Sequence, residues 1–129
     1  MNKLNYLINI SNLSKSYILK NNQSLKIIEN LNFKLKPNSK ISIIGPSGSG
    51  KTTFLNIIGL LDKEFEGTYL FKGKNINTFS EKETNHIRGL SIGFIHQFFH
   101  LIPELTAIEN IMLPILINKK ENNAYKIAK

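Results

Sequence analysis

Residues 40–53 constrain the fold more than any other stretch. They read Lys-Ile-Ser-Ile-Ile-Gly-Pro-Ser-Gly-Ser-Gly-Lys-Thr-Thr. The short, nearly continuous apolar run at 40–44 predicts a parallel strand buried on both faces. A glycine-rich turn follows it, and then a helix, so the chain is expected to be α/β. Gly45, Gly48 and Gly50 lack a Cβ, so the backbone there can take positive φ and come close to a bound group. Consecutive N–H groups in such a turn form an anion nest. The helix from about Gly50 adds unpaired N–H groups and the positive end of its dipole.

Gly45, four intervening residues, Gly50, Lys51 and Thr52 fit the phosphate-binding P-loop pattern without a mismatch. The pattern points to a nucleoside triphosphate. Lys51 brings a full positive charge to the β- and γ-phosphates, and the Thr52 hydroxyl is placed to ligate Mg²⁺. The candidate binding residues are therefore Gly45, Pro46, Ser47, Gly48, Ser49, Gly50, Lys51, Thr52 and Thr53. The plainer alternative is a Gly/Ser-rich turn with a stray Lys-Thr; the flanking strand and helix favour the nucleotide.

With 129 residues the chain can build one modest core. It has no cysteine, which excludes a disulfide framework and a thiolate metal site. Residues 1–30 show no signal-peptide core. No apolar run approaches the roughly 18 residues that span a bilayer. The net charge is +8, carried by lysines spread along the whole chain, with arginine only at Arg88. That charge is one reason to consider nucleic acid. A Lys-, Asn- and Ile-rich composition explains it as well, and the lack of clustering favours composition. Attraction to an anionic membrane surface is a third reading.

In chain order, residues 6–10 read as a strand and 12–17 as a turn ending in an exposed aromatic, Tyr17. Residues 20–24 read as a loop, and 25–28 and 31–35 as strands; Leu31, Phe33 and Leu35 are apolar at period two. Pro37-Asn38-Ser39 is a tight turn. The helix after the P-loop has Phe54, Leu55, Ile57, Ile58 and Leu61 on its packing side, with Gly59 weakening its end. Residues 67–71 read as a strand, 72–75 as a turn and 91–95 as another strand. A helix over 80–88 starts with a capping box, Ser80 and Glu83. A turn at 103–106 leads to a helix from Ala107, capped by Thr106, which Pro114 should end or kink. Residues 119–123 are polar, and a last helix starts at Ala124. The mostly β segment before the P-loop is unlike a kinase or GTPase, where the loop follows the first strand.

Four features now stand in fixed order: Lys-Ser-Tyr at 15–17, the P-loop, Gly-Thr-Tyr-Leu at 67–70 and Ile-Gly-Phe-Ile-His-Gln at 92–97. Together they resemble the N-terminal half of an ABC transporter nucleotide-binding domain. Residues 97–117, Gln-Phe-Phe-His-Leu-Ile-Pro-Glu-Leu-Thr-Ala-Ile-Glu-Asn-Ile-Met-Leu-Pro-Ile-Leu-Ile, narrow the likeness. They resemble the ATPase subunits of lipoprotein-releasing systems (LolD) and, more widely, macrolide-export ATPases. The resemblance implies a P-loop NTPase fold of ABC type: a mixed sheet with an N-terminal antiparallel β subdomain, truncated before the end of the helical subdomain. Its parts would be residues 1–39 (β subdomain), 40–97 (P-loop to Q-loop core) and 98–129 (start of the helical subdomain).

It also implies ATP and Mg²⁺ as cofactors, a homodimer of the full-length domain, and a peripheral place on the cytoplasmic face of the inner membrane. Tyr17 resembles the family's adenine-stacking aromatic, although a Tyr packed on a sheet edge is the alternative. Gln97 resembles the Q-loop glutamine, a ligand for Mg²⁺ or the attacking water; a surface Gln is the alternative. Lys51 and Gln97 are the implied catalytic residues. Residues 98–117 resemble the face that meets the transmembrane permease, with Phe98, Phe99, Leu101, Ile102 and Leu105 as docking patch or core.

Three departures stand out. Ser39-Lys40 replace a frequent Gly-Glu. His96 stands where an aromatic is usual, one flat ring for another; His86 and His100 read as structural or surface residues. The family's Leu-Ser-Gly-Gly-Gln signature, Walker B Asp-Glu and switch His do not occur in these residues, and Asp62, the only Asp, follows the P-loop helix, the wrong place to hold Mg²⁺. The chain alone is therefore expected to hydrolyse ATP negligibly and to be marginally stable. A nucleic-acid-binding P-loop protein and a non-catalytic remnant remain the competing readings.

Overall fold

The computed structural model describes residues 6–117 and 124–128. The polar stretch 119–123 lies outside the described residues. The chain divides into two compact units, Met1–Thr84 and Asn85–Lys129.

The first unit is built on a four-stranded antiparallel sheet of order β2-β1-β3-β4. Its strands are β1 (Ile8–Ile18), β2 (Ser24–Leu35), β3 (Glu66–Phe71) and β4 (Lys74–Asn75). Helix α1 (Lys51–Ile58) and a 3-10 turn, Ile76–Thr78, complete it. The core is made of Ile8, Ile10, Leu13, Phe54, Ile57, Leu60, Tyr69, Phe71 and Ile76. Phe54 meets Phe33 of β2 edge-on, with ring centroids 5.2 Å apart. Tyr69 donates from its hydroxyl to the carbonyl of Ile58 at 2.8 Å. That bond satisfies one of the carbonyls a helix leaves open at its C-terminus. Leu55 and Leu61, expected on the packing side, are nearly half exposed.

Residues 12–17 are not a turn. β1 runs straight through them, and the turn-like composition serves a β-bulge instead. Asn12 takes φ +53°, which asparagine tolerates better than most residues. Pulled out of the ladder, its N–H donates to Asn32 Oδ1 at 3.1 Å. The register with β2 shifts between Ile10 and Leu13. The buried side chains change from even positions (Ile8, Ile10) to odd ones (Leu13, Lys15). Gly67 makes the bulge possible: its φ is +98°, and a Cβ there would run into the backbone oxygen of Asn12.

Two expected strands are absent. Residues 40–44 and 92–95 are irregular, and helix α2 (Glu81–Ser91) extends to the start of the second. A buried parallel strand exists only between ladder partners; no described strand pairs with either segment. Ile41, Ile44 and Ile95 are exposed accordingly, Ile44 at 91% and Ile95 at 103%.

The expected capping box at Ser80 forms, and Thr106, expected as a cap, closes a second one with Glu109. At α2, Ser80 N and Oγ both donate to Glu83 Oε2, at 2.8 and 2.7 Å. In the second unit, Thr106 N and Oγ1 donate to Glu109 Oε2 at 2.8 and 2.6 Å, opening α3 (Ala107–Ile117). These bonds favour the charged carboxylates and hold both below the usual glutamate range. Helix α3 continues past Pro114, so the proline does not end it. Helix α4 (Ala124–Ala128) follows.

Candidate functional site

The P-loop wraps the start of α1. Gly50, the residue before the helix, has φ +84° and ψ 5°, the left-handed conformation. A Cβ on it would meet the carbonyl oxygen and Cγ2 of Ile27, both at 3.1 Å. Glycine is thus required twice, by the backbone angle and by the close approach of β2. No side chain caps the helix, so its first N–H groups are open to a ligand.

A cleft of about 310 Å³ lies there, lined by Ile27, Ser47, Gly48, Gly50, Lys51, Thr52 and Thr53. Lys51 Nζ donates to the carbonyls of Gly45 (3.0 Å) and Pro46 (2.6 Å) and to Ser49 Oγ (3.4 Å). In a trans peptide the carbonyl and the next N–H point opposite ways. Anchoring the Pro46 carbonyl to the ammonium therefore turns the Ser47 N–H away from it. The result is a positively biased concavity with the Lys51 cation in its lining, chemistry suited to a polyphosphate.

Thr52 exposes its hydroxyl in the cleft wall. One hydroxyl fits Mg²⁺, which keeps several waters and takes phosphate oxygens beside one or two protein ligands. Among the described residues, no group of three or more His, Asp or Glu could hold a metal unaided.

Tyr17 stands near the end of β1, opposite Leu25, two residues along β2 from the wall residue Ile27. Its ring is 42% exposed. Lys15 Nζ lies 4.9 Å from the ring centroid, and the Tyr17 hydroxyl is 3.5 Å from Asp62 Oδ2. The sequence reading missed Lys15 and Asp62, which meet across 47 positions of chain. The one sequence signal, a lysine two residues before Tyr17, is masked by the bulge.

Gln97 belongs to the second unit, where it lies exposed on a bend. His96 stacks between Phe94 (5.3 Å) and His100 (4.6 Å), a flat ring among flat rings. Phe98, Phe99, Leu101 and Ile102 are exposed, Phe99 at 92%. The loop beneath them is braced by Asn110. Its Oδ1 accepts from Ile102 N (2.9 Å), and its Nδ2 donates to the carbonyls of Ile102 (3.2 Å), Leu105 (3.1 Å) and Thr106 (3.0 Å). No described helix is long and apolar enough to cross a membrane.

The family model "ABC transporter" matches residues 28–129. The chain belongs to the ABC transporter family. A lipoprotein-releasing system ATP-binding protein, LolD, of Pseudomonas syringae pv. tomato is 38% identical over 113 residues, covering 88% of this chain and 49% of the relative. An uncharacterized ABC transporter ATP-binding protein, YknY, of Bacillus subtilis is 40% identical over 118 residues, covering 89% and 51%. A dimeric structure of the ATP-binding cassette MJ0796, in a post-hydrolysis state bound to ADP and Pi, superposes with a TM-score of 0.84 at 38% identity. It covers 94% of this chain and 53% of that one. The fold is thus that of an ATP-binding cassette, with its antiparallel β subdomain, and the chain spans about half the length of the curated relatives it matches.

Proposed function

We propose that the chain forms the ATP-binding part of an ABC transporter subunit that powers lipoprotein release or export at the inner membrane. The observation that carries the ATP-binding reading is the P-loop itself: a left-handed Gly50 pressed on Ile27, an uncapped helix start and Lys51 in the cleft lining. Lys51 leaves its loop carbonyls for the β- and γ-phosphates, and Thr52 contributes the hydroxyl that a Mg²⁺ ion would use. Tyr17 stacks on adenine. Gln97 reaches the metal or the attacking water. In this division of labour, the chain supplies binding and charge neutralisation, and water activation falls to the whole cassette.

Residues 98–117 dock on the transmembrane permease, with Phe98, Phe99 and Leu101 as its apolar contacts, on the cytoplasmic side of the membrane. The subunit works as a homodimer. The lipoprotein-release reading rests on the likeness to LolD, and the exporter reading is its nearest alternative.

Titration with Mg-ATP tests the site. Lys51→Ala should weaken binding at least about tenfold, the scale of one charge-assisted contact. Base stacking contributes roughly 1–3 kcal/mol, so Tyr17→Ala should weaken it about 5- to 150-fold. Affinity indifferent to Lys51 would remove the P-loop from the function.

A further inference from the structure

Tyr17 is braced by two residues that touch no part of the cleft. Lys15 is only 4% exposed, although Leu13 before it continues an apolar face that another leucine could extend. Its ammonium donates to Asp62 Oδ1 at 3.0 Å and lies 2.9 Å from Oδ2. It also donates to the Glu64 carbonyl. A largely buried ion pair adds little net stability over a well-packed apolar pair, and in some proteins such a pair fixes one arrangement. Here it fixes Tyr17. The ammonium lies over one face of the ring at 4.9 Å, and the Asp62 carboxylate holds the hydroxyl end at 3.5 Å.

Asp62 is in turn anchored to the helix that starts at the P-loop. Its N–H and that of Leu61 both donate to the Asn56 carbonyl of α1, at 3.2 and 2.8 Å. Its Oδ1 also accepts from Glu64 N at 2.9 Å. The path from ring to phosphate cradle is therefore Tyr17, Lys15, Asp62, α1, Gly50.

We propose that Lys15 and Asp62 are positioning residues that hold the Tyr17 ring at a fixed distance from the phosphate cradle, and so set the preference for adenine nucleotide over bare polyphosphate. This rests on the reading of Tyr17 as the base-stacking residue. With one ring face occupied by the cation, the other is the face offered to the base. A cation behind a ring is worth a modest amount at a partly exposed site, so the expected effect is roughly 3- to 10-fold.

The test is calorimetric titration of the purified protein with Mg-ATP and, separately, with Mg-tripolyphosphate, which has the phosphates and no base. Lys15→Met should weaken ATP binding about 3- to 10-fold and leave tripolyphosphate binding unchanged. In a Tyr17→Ala background it should have no further effect, because Lys15 acts through the ring. Lys15→Arg, which keeps the charge, should recover part of the loss. Asp62→Asn keeps the side chain's shape and gives the same comparison if Lys15→Met does not fold. Equal loss for both ligands, or losses that add in the Tyr17→Ala background, would overturn the proposal. If Tyr17→Ala itself leaves ATP affinity unchanged, the stacking reading fails first, and that outcome is distinct from a Tyr17 effect that Lys15 does not share.

Discussion

Replacing Gly67 with alanine should unfold the first unit about as readily as deleting a large core side chain, though it adds only a methyl group. Gly67 sits at φ +98°, where an L-residue carries a backbone strain of about 1–3 kcal/mol. The added Cβ would overlap the Asn12 oxygen and lie 2.7 Å from Asn12 C and Ser11 O. All three are backbone atoms, so no side chain can swing aside. Relief requires moving the bulge, which breaks the bond from Asn12 N to Asn32 Oδ1, at about 1 kcal/mol. The total is about 2–4 kcal/mol, against a typical stability of about 5–15 kcal/mol. For a domain of this size that corresponds to a Tm lower by roughly 10 °C. Thermal melts followed by circular dichroism, with urea midpoints as a second measure, would read it. The bulge also sets which face of β1 carries Lys15 and Tyr17, so ATP affinity should fall in the molecules that remain folded. A Tm within about 2 °C of the parent protein would refute the reasoning, because it would mean the β1–β3 ladder tolerates a Cβ at this point.

Gly50→Ala should abolish most phosphate binding, since the new Cβ meets Ile27 at 3.1 Å in a left-handed backbone; titration with Mg-tripolyphosphate reads this directly. Tyr69→Phe should cost about 1–3 kcal/mol in urea unfolding, because the partly buried Ile58 carbonyl loses its 2.8 Å donor. Burial also pushes the Tyr69 hydroxyl well above the usual tyrosine range, so its phenolate absorbance should appear only once the protein unfolds in alkali. Glu83 and Glu109 carry folded pKa values below the ordinary 4.5, so their capping contribution is present above that value and lost as pH falls through the lowered one. Carbon-detected NMR titration should find both carboxyls below the free-glutamate range, and Ser80→Ala should move Glu83 part of the way back, because the Ser80 backbone N–H still donates to it.

What the sequence made legible were features whose partners lie close along the chain. The Ser80–Glu83 capping box and the Thr106 cap close over three residues, and both form as read. The P-loop is a local backbone device, and Gly50 takes the conformation its spacing implied. What stayed hidden depended on distant partners. Residues 40–44 have the composition of a buried strand, but composition supplies no ladder, and the segment lies open. Residues 12–17 carry turn-forming Asn and Ser, and that chemistry was spent inside a strand, with Asn32 satisfying the displaced N–H. Pro114 removes one hydrogen bond from α3, which the apolar helix around it survives.

The bulge explains why the surroundings of Tyr17, the base side of the site we propose, were harder to see than the P-loop. With strict alternation from Ile8 and Ile10, Lys15 and Tyr17 would face away from the core, and a lysine there would be an ordinary solvated charge. The extra residue at Asn12 brings Lys15 to the buried face, where it meets a carboxylate from beyond α1, and leaves Tyr17 half-exposed beside it. Two routes then tie Tyr17 to the phosphate cradle. One crosses the ladder from Tyr17 to Leu25 and on to Ile27, which touches the Gly50 position. The other runs through Lys15 and Asp62 into α1. The ladder route fixes the backbone of Tyr17, and the ion pair contacts the ring itself. In the site we propose, a nucleotide bridging ring and cradle would meet ends already spaced, and less of its binding energy would go into ordering them.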